Sequence, residues 1–75
     1  MKSENYLGWK NKETWNVALW LSNDYEFYKL SKTFYKYSDL AKYLKAEFSE
    51  GTKDGVKWDC SKLDYKELDE LISEM

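Results

Sequence analysis

The sequence contains no histidine, no arginine and no proline, and its one cysteine is Cys60. Without histidine, the chain lacks the side chain that most often binds metals and moves protons at neutral pH, and Cys60 has no histidine to activate it as a nucleophile. A lone cysteine also excludes an intramolecular disulfide and a paired-cysteine metal site. Without arginine, the chain has no planar fork for phosphates or guanine edges. We therefore expect no enzymatic activity, no metal site and no cofactor.

The sequence also has no apolar run long enough to cross a membrane, and no apolar leader segment follows Met1. A single cysteine is typical of a reducing compartment. The formal net charge of −2 is too small to indicate a nucleic-acid mimic or a strong electrostatic binder. We expect a soluble, cytoplasmic protein without membrane contact.

Aromatic residues, in contrast, are abundant for a chain of this size. The 75 residues include four Trp, seven Tyr and three Phe, and a chain of this length is near the lower limit for a self-supporting core. Each buried aromatic side chain removes about 150–250 Å² from water. We predict one domain, residues 1–75, with an aromatic-rich core.

Helical periodicity and capping residues predict an all-α fold of three to four short helices. Asn11 offers an N-cap for a first helix from about Lys12 to Ser22, whose apolar residues, Trp15 among them, spread almost around its axis. A helix of that kind lies in the middle of a fold. We therefore place the first helix at the centre, with Trp9 and Trp58 closing its ends.

Two more helices are predicted in the central part of the chain. Asp24 caps a second helix from about Tyr25 to Lys36, and Ser38 caps a third from about Asp39 to Ser49. Gly51 stands where a glycine commonly ends a helix. The inward row of the third helix is predicted to consist of Leu40, Ala41, Leu44 and Phe48.

The fourth helix, from Tyr65 onward, has the best-marked start in the chain. Asp64 and Glu67 have the spacing of a capping box, and Leu63 and Leu68 have that of a hydrophobic staple.

The run from Gly8 to Asp24, G-W-K-N-K-E-T-W-N-V-A-L-W-L-S-N-D, resembles the N-terminal signature of a family of short uncharacterised proteins. These proteins are encoded mainly by tailed bacteriophages and prophages. The stretch from Asp54 to Trp58 and the helix start from Leu63 to Leu68 resemble the weaker C-terminal half of the family. The resemblance implies a small viral protein acting in the cytoplasm of a bacterial host, and it implies no activity or ligand.

Two groups of polar residues in these motifs have both a functional and a structural interpretation. The segment from Glu13 to Asn16 is either a binding epitope or the start of the first helix with bonds to a neighbouring segment, and we favour the second. Asp64, Glu67 and Glu70 resemble acid/base partners or Mg²⁺ ligands. They lie on a short, solvated helix without an evident cleft, so we favour capping and solubility.

A basic and aromatic face on the second helix is the best candidate for interaction. We call it the Lys/Tyr face, and it comprises Tyr25, Tyr28, Lys29, Lys32, Tyr35 and Lys36. Three interpretations stay open: a solvated surface, a protein interface, or a platform on which the bases of a single-stranded nucleic acid stack.

The fourth helix carries a face of opposite charge, which we call the acidic face: Glu67, Glu70 and Glu74. Residues 37–75 hold ten acids and six lysines, whereas residues 1–36 hold six lysines and four acids. The simplest explanation is that the two faces meet, either within one chain or across a homodimer.

These observations together predict a non-enzymatic phage accessory protein that binds a host or viral protein. The alternative is a weak single-stranded nucleic-acid binder that uses the Lys/Tyr face. A self-associating module is a third hypothesis.

Overall fold

The computed structural model describes residues 8–75, and residues 1–7 of the predicted domain lie outside that description. Four helices are present in the described part: α1 (Lys12–Asn23), α2 (Tyr25–Ser31), α3 (Tyr37–Glu47) and α4 (Tyr65–Ser73). Residues 8–75 contain no strand beyond isolated bridges, such as the antiparallel one between Gly51 and Lys57. The all-α prediction is confirmed. None of these four helices combines the length and the apolar character needed to span a bilayer.

The first helix begins and packs as its sequence predicts. Asn11 Oδ1 accepts a hydrogen bond from the backbone N–H of Thr14 at 2.8 Å, which is the expected N-cap. The helix packs against both α2 and α4, and Val17 and Leu21 are fully buried. Trp15 is only half-buried, so its predicted place in the core is wrong. The inward side of α1 instead holds Thr14, because its hydroxyl has a hydrogen-bonding partner there.

The second helix ends five residues earlier than predicted, at Ser31 instead of Lys36. Two hydroxyl groups satisfy carbonyls of its last turn: Ser31 Oγ donates to Phe27 O at 2.7 Å, and Thr33 Oγ1 donates to Leu30 O at 2.7 Å. Such local bonds compete with helix continuation. The chain between α2 and α3 is therefore a short connection of residues 32–36.

The third helix begins at Tyr37, and the predicted cap at Ser38 is wrong. Lys36 occupies the N-cap position in an extended conformation, and its side chain makes no cap hydrogen bond. The cap comes from another helix, because the backbone N–H of Tyr37 donates to Asp69 Oδ1 of α4 at 2.6 Å. A carboxylate at this end of a helix is favoured by the helix dipole.

The core forms where the helices meet the irregular segment between α3 and α4. Trp58, predicted to close an end of α1, is completely buried and is the largest such side chain. Tyr37 is also fully buried, and its hydroxyl donates a hydrogen bond to the carbonyl of Trp58. The Phe27 ring packs edge-on against the Trp58 ring, with 5.4 Å between the ring centroids. The Tyr65 ring packs edge-on against the Tyr37 ring, with 5.1 Å between the centroids. The buried apolar residues are Val17, Ala18, Leu21, Tyr37, Leu40, Ala41, Leu44, Trp58, Leu63, Leu68 and Ile72.

Phe48 and Gly51 depart from their predicted roles at the end of α3. Phe48, expected in the inward row, is 50% exposed, because the helix ends at Glu47 and Phe48 takes a non-helical conformation. Gly51 does not end the helix. It forms the bridge with Lys57, and a Cβ atom there would lie 2.1 Å from Val56 O, so this close approach requires glycine.

Trp58→Ala should lower the free energy of unfolding by about 3–5 kcal/mol, because it removes a fully buried indole from the core. Trp15→Ala, its matched control, should cost less because Trp15 is half-buried. Thermal unfolding followed by circular dichroism measures both. Equal losses of stability in the two variants would contradict the central place of Trp58.

Candidate functional site

The segment from Glu13 to Asn16 is occupied by internal hydrogen bonds. Asn16 is 5% exposed; its Nδ2 donates to Asp54 Oδ2 at 2.8 Å, and its Oδ1 accepts from Thr52 Oγ1 at 2.7 Å. The indole Nε1 of Trp20 donates to the same Asp54 oxygen at 3.0 Å. These bonds hold the turn around Asp54 against α1.

A second group of bonds fixes the start of α4 to the start of α1. The buried Thr14 Oγ1 accepts from the backbone N–H of Asp64 at 3.0 Å, and Asn11 Nδ2 donates to Lys62 O at 2.6 Å. Asp64 Oδ1 caps α4 by accepting from Glu67 N at 3.1 Å. Glu67 does not return the bond as a full capping box would; its Oε1 accepts from Lys10 N at 2.9 Å. The side chains of Thr14, Asn16, Asp64 and Glu67 thus make hydrogen bonds within the fold, and the Glu70 carboxylate makes none in the described part of the chain.

The pKa shifts of Asp54 and Tyr37 follow from these internal contacts. The hydrogen bonds from Asn16, and then from Trp20, hold the pKa of Asp54 below its usual value. Burial raises the pKa of Tyr37 beyond its ordinary range, which keeps its hydroxyl a donor. Within residues 8–75 no three acidic or cysteine side chains are grouped so that they could hold a metal ion.

The structure brings together four of the six residues of the Lys/Tyr face. Tyr25, Tyr28, Lys29 and Lys32 follow the helical spacing of α2 and its C-cap; we call these four the α2 stripe. The ammonium of Lys29 lies 5.3 Å from the ring centroid of Tyr25, and that of Lys32 lies 5.3 Å from the ring centroid of Tyr28. Both are cation–π pairs.

Tyr35 and Lys36 do not share the helix with the α2 stripe. The prediction that all six residues lie on one helix is wrong, because α2 ends at Ser31 and these two fall in the connection to α3. Tyr35 is 92% exposed.

A partly apolar groove lies between α2 and the end of α3. Its volume is about 360 Å³, and we call it the α2–α3 groove; it is lined by Glu26, Lys29, Leu30, Thr33, Tyr43 and Phe48. Tyr43 is 41% exposed and Phe48 is 50% exposed. Phe27 packs edge-on against Phe48 at 5.4 Å and at the same distance against Trp58. The rings of the groove are thus connected to the core.

Sequence reasoning missed the α2–α3 groove because it assigned Phe48 to the buried row. One signal was available: Tyr43 lies outside the row formed by Leu40, Ala41 and Leu44, so one large ring of α3 had to face elsewhere.

The acidic face borders a second groove, of about 300 Å³. Trp9 and Leu71 supply its apolar surface beside Gly8, and Glu67, Glu70 and Glu74 supply its charge. In residues 8–75 the ion pairs are Lys45–Asp59 at 2.7 Å and Lys62–Glu13 at 4.0 Å. The acidic face and the Lys/Tyr face therefore form no ion pair with each other within the described part of the chain.

Asp54→Asn should lower the free energy of unfolding at neutral pH. It should also make that free energy less dependent on pH in the acid range. A folded-state pKa of Asp54 below the unfolded pKa adds stability at higher pH, and that stability is lost as pH falls through the folded pKa. The free energies of unfolding of wild type and variant should therefore converge as pH falls through the folded-state pKa of Asp54.

Urea unfolding at several pH values, followed by tryptophan fluorescence, measures the convergence. Glu47→Gln removes an exposed carboxylate from α3 and serves as the control for a change in net charge. A gap between wild type and Asp54→Asn that stayed constant down to the acid limit would contradict the role of the Asp54 carboxylate.

A family described as a family of unknown function, DUF7249, matches residues 2–75. Because the match covers nearly the whole chain, the protein belongs to that family. The description names no activity, ligand or partner. No curated protein and no solved structure matches the chain.

Proposed function

We propose that this member of the DUF7249 family is a small, non-enzymatic accessory protein of a bacteriophage or prophage. It acts in the host cytoplasm by binding a host or viral protein, and its binding surface is the α2–α3 groove. The observation that carries the proposal is the exposure of two large rings, Tyr43 and Phe48, around an apolar concavity on a domain of 75 residues.

The α2–α3 groove has the composition of a protein interface. Aromatic side chains are enriched at the centres of interfaces, where a few of them supply most of the binding energy. Leu30 contributes an aliphatic wall, and Glu26 and Lys29 place opposite charges at the rim. Rim charges of both signs orient a partner more than they hold it.

The aromatic contacts beneath the groove reduce the cost of binding. Phe48 lies edge-on against Phe27, which lies edge-on against the buried Trp58. The Tyr43 ring packs at a tilt against the Phe34 ring, with 5.8 Å between the ring centroids. Rings held in this way lose less conformational freedom when a partner binds.

The size of the groove indicates the kind of partner. The groove of about 360 Å³ is open to solvent along its length, whereas a small-molecule site encloses most of its ligand. We therefore expect a protein partner that inserts one or two apolar side chains from a helix or loop.

Single-stranded nucleic acid is the second candidate, and the α2 stripe is the surface it would use. Tyr25 is 71% exposed, as base stacking requires. Lys29, however, lies over one face of that ring and Lys32 over one face of Tyr28, which reduces the area open to a base. The chain also offers no arginine for the phosphates.

Phe48→Ser should weaken binding of the protein partner at least about tenfold, mainly through faster dissociation, because it removes an anchoring ring. The partner is first isolated from lysate of the bacterial host or of infected cells, and its dissociation rate from wild type and variants is then measured by surface plasmon resonance. Tyr35→Ser is the matched control, since it removes a more exposed ring that does not line the groove.

Three results would contradict the proposal. One is a partner that dissociates from Phe48→Ser and wild type at the same rate. Another is a larger effect of Tyr35→Ser. The third is affinity for single-stranded DNA or RNA, with a logarithm of the association constant that falls against the logarithm of the salt concentration at a slope of about −0.7 per phosphate contacted. If Lys32→Glu also abolished that affinity, the second candidate would be established instead.

A further inference from the structure

We propose that two copies of this chain associate, with the α2 stripe of one copy seated on the acidic groove of the other. The acidic groove is the concavity formed by Trp9, Glu67, Glu70, Leu71 and Glu74. This association goes beyond binding of a foreign protein and uses different surfaces. Lys29 alone borders both the α2 stripe and the α2–α3 groove.

Two of the three carboxylates of the acidic groove, those of Glu70 and Glu74, are placed where the helix dipole disfavours them. Glu70 lies in the C-terminal half of α4 and Glu74 is its C-cap, while the last turn contains no basic residue. The negative end of the helix dipole therefore repels both carboxylates. The ion pairs seen in residues 8–75 involve other residues, so a cation brought to this end of α4 would relieve this repulsion.

The α2 stripe presents cations in a fixed arrangement. Lys29 and Lys32 each lie over a tyrosine ring one helical turn away, at 5.3 Å from its centroid. These contacts restrict two otherwise flexible side chains, so less conformational freedom is lost when they meet a carboxylate.

The two surfaces match in charge and in apolar character. The α2 stripe has two ammonium groups beside two rings, and the acidic groove has three carboxylates beside an indole and a leucine. Opposite charges steer the surfaces together, and the apolar groups gain from removal of water. The α2 stripe therefore complements the acidic groove with two cations and two rings on one helix face.

Each copy carries both surfaces, and this sets the form of the assembly. If the two surfaces can meet around a two-fold axis, the contact forms twice and the product is a closed dimer. If they cannot, each copy binds the next and the product grows with concentration.

Sedimentation velocity of the full chain tests the association. Wild type should self-associate reversibly at about 10 mM ionic strength, where the Debye length is about 30 Å, and the association constant should fall at least about tenfold in about 1 M salt, where it is about 3 Å. Lys32→Glu and Glu70→Lys should each abolish the association, because each opposes charges of the same sign.

An equimolar mixture of Lys32→Glu and Glu70→Lys should associate again. In the mixed pair, the native stripe of one variant meets the native groove of the other, and the two reversed surfaces are also complementary. A purely structural role of either residue does not predict this recovery. Lys42→Glu and Glu47→Lys, which reverse exposed charges of α3, are the controls and should associate as wild type does. Circular dichroism checks that every variant is folded.

The proposal is wrong if wild type stays monomeric at low salt up to about 1 mM protein, the limit of a weak contact. It is equally wrong if the reversed variants associate as wild type does, or if the mixture stays monomeric. These results do not involve Tyr43 or Phe48, so they do not test the proposed function of the α2–α3 groove. Loss of partner binding in Phe48→Ser, in turn, does not test self-association.

Discussion

The indole of Trp58 is completely buried although it belongs to the segment without helices between α3 and α4. Tyr37 donates its hydroxyl hydrogen to the Trp58 carbonyl, and Phe27 packs edge-on against the Trp58 ring. This one residue thereby connects α2 and α3 to the long loop. Trp58 is the largest side chain in the buried cluster that these helices share, so the placement of α2 and α3, and of the α2–α3 groove between them, depends on this contact.

Side-chain hydrogen bonds join segments of the chain in addition to the contacts of the small apolar core. Asn16 joins α1 to Thr52 and Asp54, which lie 36 and 38 residues away along the chain. Thr14 joins the start of α1 to that of α4. Buried polar groups are costly unless they are paired, and here each pairing fixes a loop or a helix end. Thr14 and Asn16 are thus engaged inside the molecule, and the surfaces to which we assign interactions are the α2–α3 groove, the α2 stripe and the acidic groove.

Those surfaces divide according to their chemistry. The α2–α3 groove presents rings connected to the core and suits an apolar anchor from a partner, whereas the α2 stripe and the acidic groove are charged and suit each other. Lys29 borders the α2–α3 groove and also belongs to the α2 stripe. If both proposals hold, self-association covers part of the rim of the groove, and partner binding and assembly influence each other through this residue.

The sequence by itself determined the all-α class and the starts of α1, α2 and α4, because Asn11, Asp24 and Asp64 cap helices through bonds that span two or three residues. The tertiary structure decided the rest. The start of α3 depends on Asp69, 32 residues away from Tyr37, and no local pattern contains that bond. Burial of Trp58 and exposure of Phe48 likewise depend on how the segment after α3 folds back over the helices. The spacing of residue types along the chain encodes contacts within one turn of a helix. The cap of α3, the core and the α2–α3 groove are built from residues far apart in the sequence, so they exist only once the chain has folded.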